Sequence, residues 1–259
     1  MEVYRLELET GEIELGIPRE EGYRKVTGDL KNGFAGGEEL ITGVNKILPP
    51  VAPRCIYGIG LNYEGHVDEW GERPEEPLVF MKAPSAVIGP EESIALPEAA
   101  PDKVDFEAEL AVVIGKEARG VKAEEADDVI AGVTCANDVT ARDCQQADGQ
   151  WVRAKSFDTF CPLGPCLQTD WHSVEKIEGY LNGELYQEAR LDELIFSIPE
   201  LIEYLSHQFT LPAGTVILTG TPAGSGFARQ PEEYLRAGDI YRVWAPEIGS
   251  LENEVLEIE

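Results

Sequence analysis

Val104-Asp105-Phe106-Glu107-Ala108-Glu109-Leu110-Ala111-Val112-Val113-Ile114-Gly115 is the stretch from which the rest of the chain is read. It alternates like a strand. Phe106, Ala108, Leu110, Val112 and Ile114 share one face, and Asp105, Glu107, Glu109, Ala111 and Val113 share the other. The first face is wholly apolar and belongs to a core. The second starts with acids at alternate positions and then turns apolar. A solvated strand face would mix lysine or threonine among its acids. Two glutamates two residues apart on a strand point the same way, so their carboxylates can converge on one hard cation. An acidic edge in an acidic protein would carry the same letters, and the rest of the chain decides between the two.

The chain has 259 residues, room for one large domain or one domain with a small companion. Its 49 acids against 21 bases give a formal net charge of −28. The acids are spread along the chain, not gathered in a tail. Nucleic acids and anionic membrane surfaces both need a basic face, so neither is an expected partner. Lysine is scarce, with 9 against 12 arginines. An evenly acidic, lysine-poor surface fits solubility in concentrated salt, where screening removes self-repulsion. A salt-adapted, halophilic host is the expectation.

The five cysteines, Cys55, Cys135, Cys144, Cys161 and Cys166, are odd in number and lack a CxxC spacing. Neither a disulfide scaffold nor a zinc–thiolate site is expected, and reduced thiols are. The N-terminus lacks a basic stretch followed by an apolar core, and no apolar run approaches membrane-spanning length. A cytoplasmic protein is expected.

Residues 1–48 read as short strands with turns at Thr10-Gly11, Asn32-Gly33 and Gly36-Gly37. Ile47 to Pro53 reads as an extended linker. A small β-rich domain over 1–50 and a larger domain over 51–259 are expected. In the latter, Cys55 to Gly60, Ala131 to Val139, Thr215 to Thr219, Gly238 to Trp244 and Glu254 to Ile258 read as strands, and Glu76 to Val87 as an extended run centred on Leu78 to Met81. Segment 64–71 is a polar loop or short helix, Ala123 to Ile130 a short helix, and Ala141 to Arg153 either helix or loop. Pro199 to Gln208 is an amphipathic helix, with Leu201, Ile202, Leu205 and Phe209 at helical spacing. Strands dominate, which predicts a β-rich α+β fold and not alternating βαβ units.

Several motifs fail. Gly58-Ile59-Gly60 is followed by tyrosine at position 63, so it is not a dinucleotide fingerprint. The glycine-rich run 220–226 has no phosphate-loop lysine, and no GxSxG appears. His66, His172 and His207 are too few for a histidine-rich metal site. Oxygen ligation of a hard cation remains. Asp138, at the end of its predicted strand, would join Glu107 and Glu109 as a third carboxylate, leaving positions for water and substrate. Lys155 would stabilise charge developing on a nearby enolate. His66 and Glu69 fall on one face of a helical turn, where the carboxylate makes the imidazole a better base. Lys82 fits either a substrate carboxylate or a structural ion pair. Asp158 fits either a partner for Lys155 or a turn cap. Asp105 reads as a solvated strand-end acid. Cys144 is the thiol nearest these residues in sequence.

Taken in order, Gly60-Leu61-Asn62-Tyr63 with His66 and Glu69, Phe80-Met81-Lys82-Ala83-Pro84-Ser85, Asp105 to Leu110, Asn137 to Asp143, Lys155 to Pro165, Asn182-Gly183-Glu184 and Leu218 to Pro222 resemble the fumarylacetoacetate hydrolase family. The resemblance runs from about Pro53 to the C-terminus. It implies a mixed β-sandwich roll, a homodimer, and one Mg²⁺ or Mn²⁺ per subunit on Glu107, Glu109 and Asp138. It implies 2-oxo acid substrates, often 2,4-dioxo or oxo-dicarboxylic. It assigns substrate or oxyanion contacts to Arg142, Gln145 and Lys155, and the substrate carboxylate to Thr221. It makes His66 and Glu69 a water-activating dyad on a lid. The leading expectation is hydrolytic carbon–carbon cleavage of an acylpyruvate or fumarylpyruvate. Oxaloacetate decarboxylation and 2-hydroxyhepta-2,4-diene-1,7-dioate isomerisation would use the same site. A non-catalytic protein binding metal and a small acid is the remote alternative.

Overall fold

The strand Ala108–Ile114 is buried at every position, on both faces. Its small and branched side chains suit a strand covered on two sides. Ile130–Asn137 pairs with it antiparallel on one flank and Val216–Leu218 on the other. Past Val216–Leu218 lie Ile56–Gly60, which is parallel to it, and the edge strand Leu78–Lys82. Past Ile130–Asn137 lie Cys161–Gln168 and the N-terminal strand Glu2–Leu8. A meander of Ile13–Arg19, Gly22–Asp29 and Gly33–Ile41 extends this into a 12-stranded sheet among the described residues, which are 1–70 and 73–257 of a computed structural model. The polar segment 64–71 and the last predicted strand, 254–258, end at Gly71 and Ile258, outside the described residues.

A second sheet runs Glu184–Arg190, Lys176–Leu181, Ile240–Ala245, Gly249–Glu257 and Ile94–Leu96. It packs on the face of the first. Phe106 fills the seam, with its ring centroid 4.6 Å from Tyr241 and 5.5 Å from Tyr186. Gln187 ties the layers by hydrogen bonds. Its Oε1 accepts from Ala108 N at 2.9 Å and Tyr241 Oη at 2.8 Å. The architecture is the β-rich α+β sandwich the sequence predicts.

The structure corrects several local expectations. The opening stretch is two strands, Val104–Asp105 and Ala108–Ile114, broken at Phe106-Glu107. Val104–Asp105 pairs separately with Thr140–Ala141. Gly36-Gly37 is not a turn but lies inside Gly33–Ile41. A Cβ at Gly36 would sit 3.1 Å from Ile17 Cδ1 and one at Gly37 3.0 Å from Lys25 O, so close strand approach is what those glycines permit. The helix predicted over 123–130 is a 3₁₀ segment, Ala123–Asp128. The amphipathic helix spans Ile198–Gln208. Ser197 and Glu200 form its capping box, with Glu200 Oε2 accepting from Ser197 N at 2.8 Å. The strand Cys161–Gln168 and the hairpin Lys176–Leu181/Glu184–Arg190 are additions that local sequence pattern did not predict.

Candidate active site

The two glutamates of the opening stretch stand at and just past its break. Asp138 is brought to them because its amide donates to Glu107 O at 2.9 Å, one residue beyond the strand Ile130–Asn137. One carboxylate oxygen from each of Glu107, Glu109 and Asp138 lies within 4.8 Å of the other two. All three side chains are buried.

Three cations surround them. Lys155 closes the short helix Val152–Lys155 and donates to Glu107 Oε2 at 2.7 Å and Asp138 Oδ2 at 2.5 Å. Arg142 opens the helix Arg142–Asp148. Its Nη2 donates to Glu107 Oε1 at 2.5 Å and its Nη1 to Gln145 Oε1, one turn on, at 2.9 Å. Lys82 donates to Asp138 Oδ1 and, at 3.1 Å, to Val139 O. Burial alone would raise Glu107, but Lys155 and Arg142 outweigh it and hold its carboxyl well below the usual range. Glu109 has no ion-pair partner among the described residues and accepts from Gly220 N at 2.7 Å. Burial, then the Asp138 and Glu107 carboxylates, push it well above the usual range. Burial works against the Lys155 charge, but Asp138 and Glu107 still raise its pKa.

The donor set fits a divalent cation. It is all oxygen, three carboxylates reach one point, and Glu109 is a buried carboxylate with no ion pair among the described residues. With Asp105, four carboxylates face three cations here. A divalent ion would tip the balance to net positive, which suits an anionic substrate.

His66 lies on the short helix Glu64–Trp70 and lines the same cavity as Glu107, Glu109 and Lys155. Its Nδ1 is 2.8 Å from Glu69 Oε2, and Glu69 Oε1 accepts from Gly224 N at 2.9 Å. The predicted dyad is therefore in contact, and it is latched to the loop after Val216–Leu218. Asn62 fixes the approach, donating to Thr219 O at 2.8 Å and Phe196 O at 3.0 Å.

A cavity of about 80 Å³ is bounded by His66, Glu107, Glu109, Arg142, Gln145, Lys155 and Thr221. Its other wall is apolar, formed in part by Leu78, Phe80 and Trp151. Lys155 Nζ sits 4.8 Å from the centre of the Phe80 ring. Three residues depart from their expected roles. Lys82 does not line the cavity: it is fully buried and spent on Asp138, the structural alternative of its two readings. Thr221 lines the cavity, but its hydroxyl donates to Ala108 O at 3.0 Å and accepts from Gln187 Nε2 at 2.8 Å, so its proton is not aimed at a ligand. Asp105 is not solvated. It is fully buried and accepts from Arg142 Nε at 2.8 Å and Gly226 N at 2.8 Å.

Sequence reasoning missed Asp105, Gln187, Phe80 and Trp151. Only Asp105 carried a signal, its place at alternate spacing with Glu107 and Glu109. Of the thiols, Cys135, Cys144, Cys161 and Cys166 are buried, and burial pushes Cys161 up to about 12. No described helix is long and apolar enough to cross a membrane.

A family model described as fumarylacetoacetate (FAA) hydrolase C-terminal matches residues 55–256. An uncharacterized protein of Archaeoglobus fulgidus is 46% identical over 241 residues, 92% of each chain. A mitochondrial oxaloacetate tautomerase of Xenopus laevis is 41% identical over 236 residues, 87% of this chain and 73% of that one. The crystal structure of a 5-carboxymethyl-2-hydroxymuconate delta-isomerase from Mycobacterium smegmatis superposes with a TM-score of 0.87 at 35% identity, over 100% of both chains.

Proposed function

Because the chain belongs to the fumarylacetoacetate hydrolase family, we propose that it is a divalent-cation-dependent enzyme that enolises a 2-oxo acid. The proton would pass between His66 and the carbon next to the 2-oxo group. One observation carries this reading: His66, held 2.8 Å from Glu69, lines the same cavity as Lys155, Glu107 and Glu109.

Glu107, Glu109 and Asp138 would hold Mg²⁺ or Mn²⁺, which supplies electrophilic stabilisation to the 2-oxo and carboxylate oxygens of a bound acid. Glu69 keeps Nδ1 engaged, so Nε2 is the atom that takes and returns the proton. Lys155, in the wall of the same cavity, would stabilise the negative charge that develops on the enol oxygen. Arg142 and Gln145 supply donors for the acid's carboxylate. Phe80, Trp151 and Leu78 keep water from the reacting carbon. A tautomerase and a delta-isomerase each relocate a proton within one molecule, and relatives with both names favour this reading.

Hydrolytic carbon–carbon cleavage, the leading expectation from the sequence, stands second. The same dyad can deprotonate water in place of carbon. Oxaloacetate, acetylpyruvate, fumarylpyruvate and a 2-hydroxy-dienedioate should be tested with Mg²⁺ and with Mn²⁺ in deuterated water. Deuterium uptake at the carbon next to the 2-oxo group, reduced ~10²–10⁴-fold in His66→Ala, is the expected result. Release of pyruvate with solvent oxygen in the departing acid would establish hydrolysis instead. Bound metal with neither outcome on any of the acids would overturn the proposal.

A further inference from the structure

A second cleft lies where the N-terminal strands meet the core. Its origin is in the pairing of Glu2–Leu8. That strand bonds to Cys161–Gln168 only at its start, through Glu2↔Gln168 and Val3↔Leu167. From Tyr4 onward it pairs with Ile13–Arg19, and from Arg5 with Val44–Leu48. The strand thus leaves the main sheet, and the divergence opens a cleft of about 410 Å³. The turn after Gly22–Asp29 closes one end. It is seated on the core at Gly115, where a Cβ would come within 2.3 Å of Leu30 O. At the other end, Arg54 N donates to Gly214 O at 3.2 Å.

The cleft is apolar inside and cationic at its margin. Val3, Leu15, Phe34, Val51 and Leu167 contribute apolar walls. Arg5, Lys31 and Arg54 also line it, and none has a carboxylate within ion-pair distance among the described residues. The single acid in the lining, Asp29, is used by its own turn. Its Oδ1 accepts from Lys31 N at 2.9 Å and Asn32 N at 2.8 Å. Arg5 is half-buried, and its one side-chain bond is a long one, 3.4 Å to Pro49 O. Burial pulls its pKa below the ordinary arginine value, as for a guanidinium lacking a counter-ion. In a chain with 49 acids and 21 bases, three cations lining one cleft, none ion-paired among the described residues, is the reverse of the chain's overall balance. The volume falls in the range of small-molecule sites, which pair apolar walls with a few convergent polar groups.

We infer that this cleft binds an amphipathic organic anion, a medium-chain carboxylate whose apolar body lies against Phe34 and Leu167 and whose charge meets Arg5, Lys31 and Arg54.

Calorimetric titration of octanoate into the full chain at low salt tests the inference, with acetate and octan-1-ol as probes of charge alone and apolar bulk alone. Octanoate is expected to bind more tightly than either. Lys31→Glu and Arg54→Glu, both exposed positions, should each weaken octanoate by roughly tenfold or more while leaving the melting temperature unchanged. Arg5→Gln should weaken it similarly. No octanoate binding, equal binding of octan-1-ol, or unchanged affinity in the charge-reversed variants would each overturn the proposal.

Discussion

Asp105 grips Arg142 at two atoms, with Oδ2 2.8 Å from Nε and 2.6 Å from Nη2. Both side chains are buried, and Asp105 also accepts from the amides of Phe106, Gly226 and Phe227. It links the break in the opening strand to the loop around Gly226 and aims the guanidinium that lines the cavity. Burial works against the Arg142 charge, but Glu107 and Asp105 together hold its pKa above the ordinary value.

Replacing Asp105 by Asn keeps the shape and removes the charge. Arg142 then loses a buried carboxylate partner, which costs about 3 kcal/mol or more in stability. The same change loosens Arg142, so KM for a 2-oxo acid should rise more than kcat falls. Urea unfolding and steady-state kinetics measure the two effects. A variant as stable as the parent, with KM unchanged, would contradict the positioning role.

Glu109 predicts how cation binding depends on pH. Its carboxyl is raised well above the usual range, first by burial and then by Asp138 and Glu107, so without metal it keeps its proton to higher pH. A divalent ion must displace that proton. Affinity for Mg²⁺ should therefore climb as pH rises from the ordinary carboxylate range through the raised Glu109 value. Binding near that value should release about one proton per chain. Calorimetry in buffers of different ionisation enthalpy counts it. In Glu109→Gln the proton release should vanish and the affinity fall. Proton-independent binding in the parent would show that Glu109 is ionised beforehand.

The site was legible where its chemistry lies in local spacing. Glu107 and Glu109 announce each other two residues apart, and His66 with Glu69 does so across one helical turn. Asp138 showed itself at the end of a predicted strand and Lys155 as a cation in a lysine-poor chain, whereas Arg142 and Gln145 were found only through the ordered set of short motifs, because their partners are far along the chain. Asp105 was misjudged for a related reason. Its donors are Arg142, 37 positions away, and Gly226, 121 away, and no local pattern announces them. Gln187 has the same character, reaching Ala108 from 79 positions away. The fold class followed from strand patterning, but Cys161–Gln168 escaped notice because Pro162 and Pro165 argue against an internal strand. Long-range pairing to Val133, Cys135 and Ala136 overrides that local penalty.

The surface makes a prediction independent of the catalytic centre. Glu124, Glu125, Asp127 and Asp128 all stand exposed on one 3₁₀ segment, and Glu38 and Glu39 stand exposed on Gly33–Ile41. Within a formal charge of −28, such clusters repel one another in the folded chain more than in the expanded one. Raising KCl from about 0.05 M to about 1 M shortens the screening length to roughly 3 Å and should remove most of that repulsion. The surface ion pairs weakened by the same screening are each worth little. Stability should thus rise with salt. A gain of about 2 kcal/mol would raise the melting temperature by roughly 4–8 °C in a chain of this size. Replacing Glu124, Asp127 and Asp128 together by Gln and Asn should raise the low-salt melting temperature and shrink its response to KCl. A higher melting temperature in dilute buffer than in molar KCl would rule out adaptation to concentrated salt.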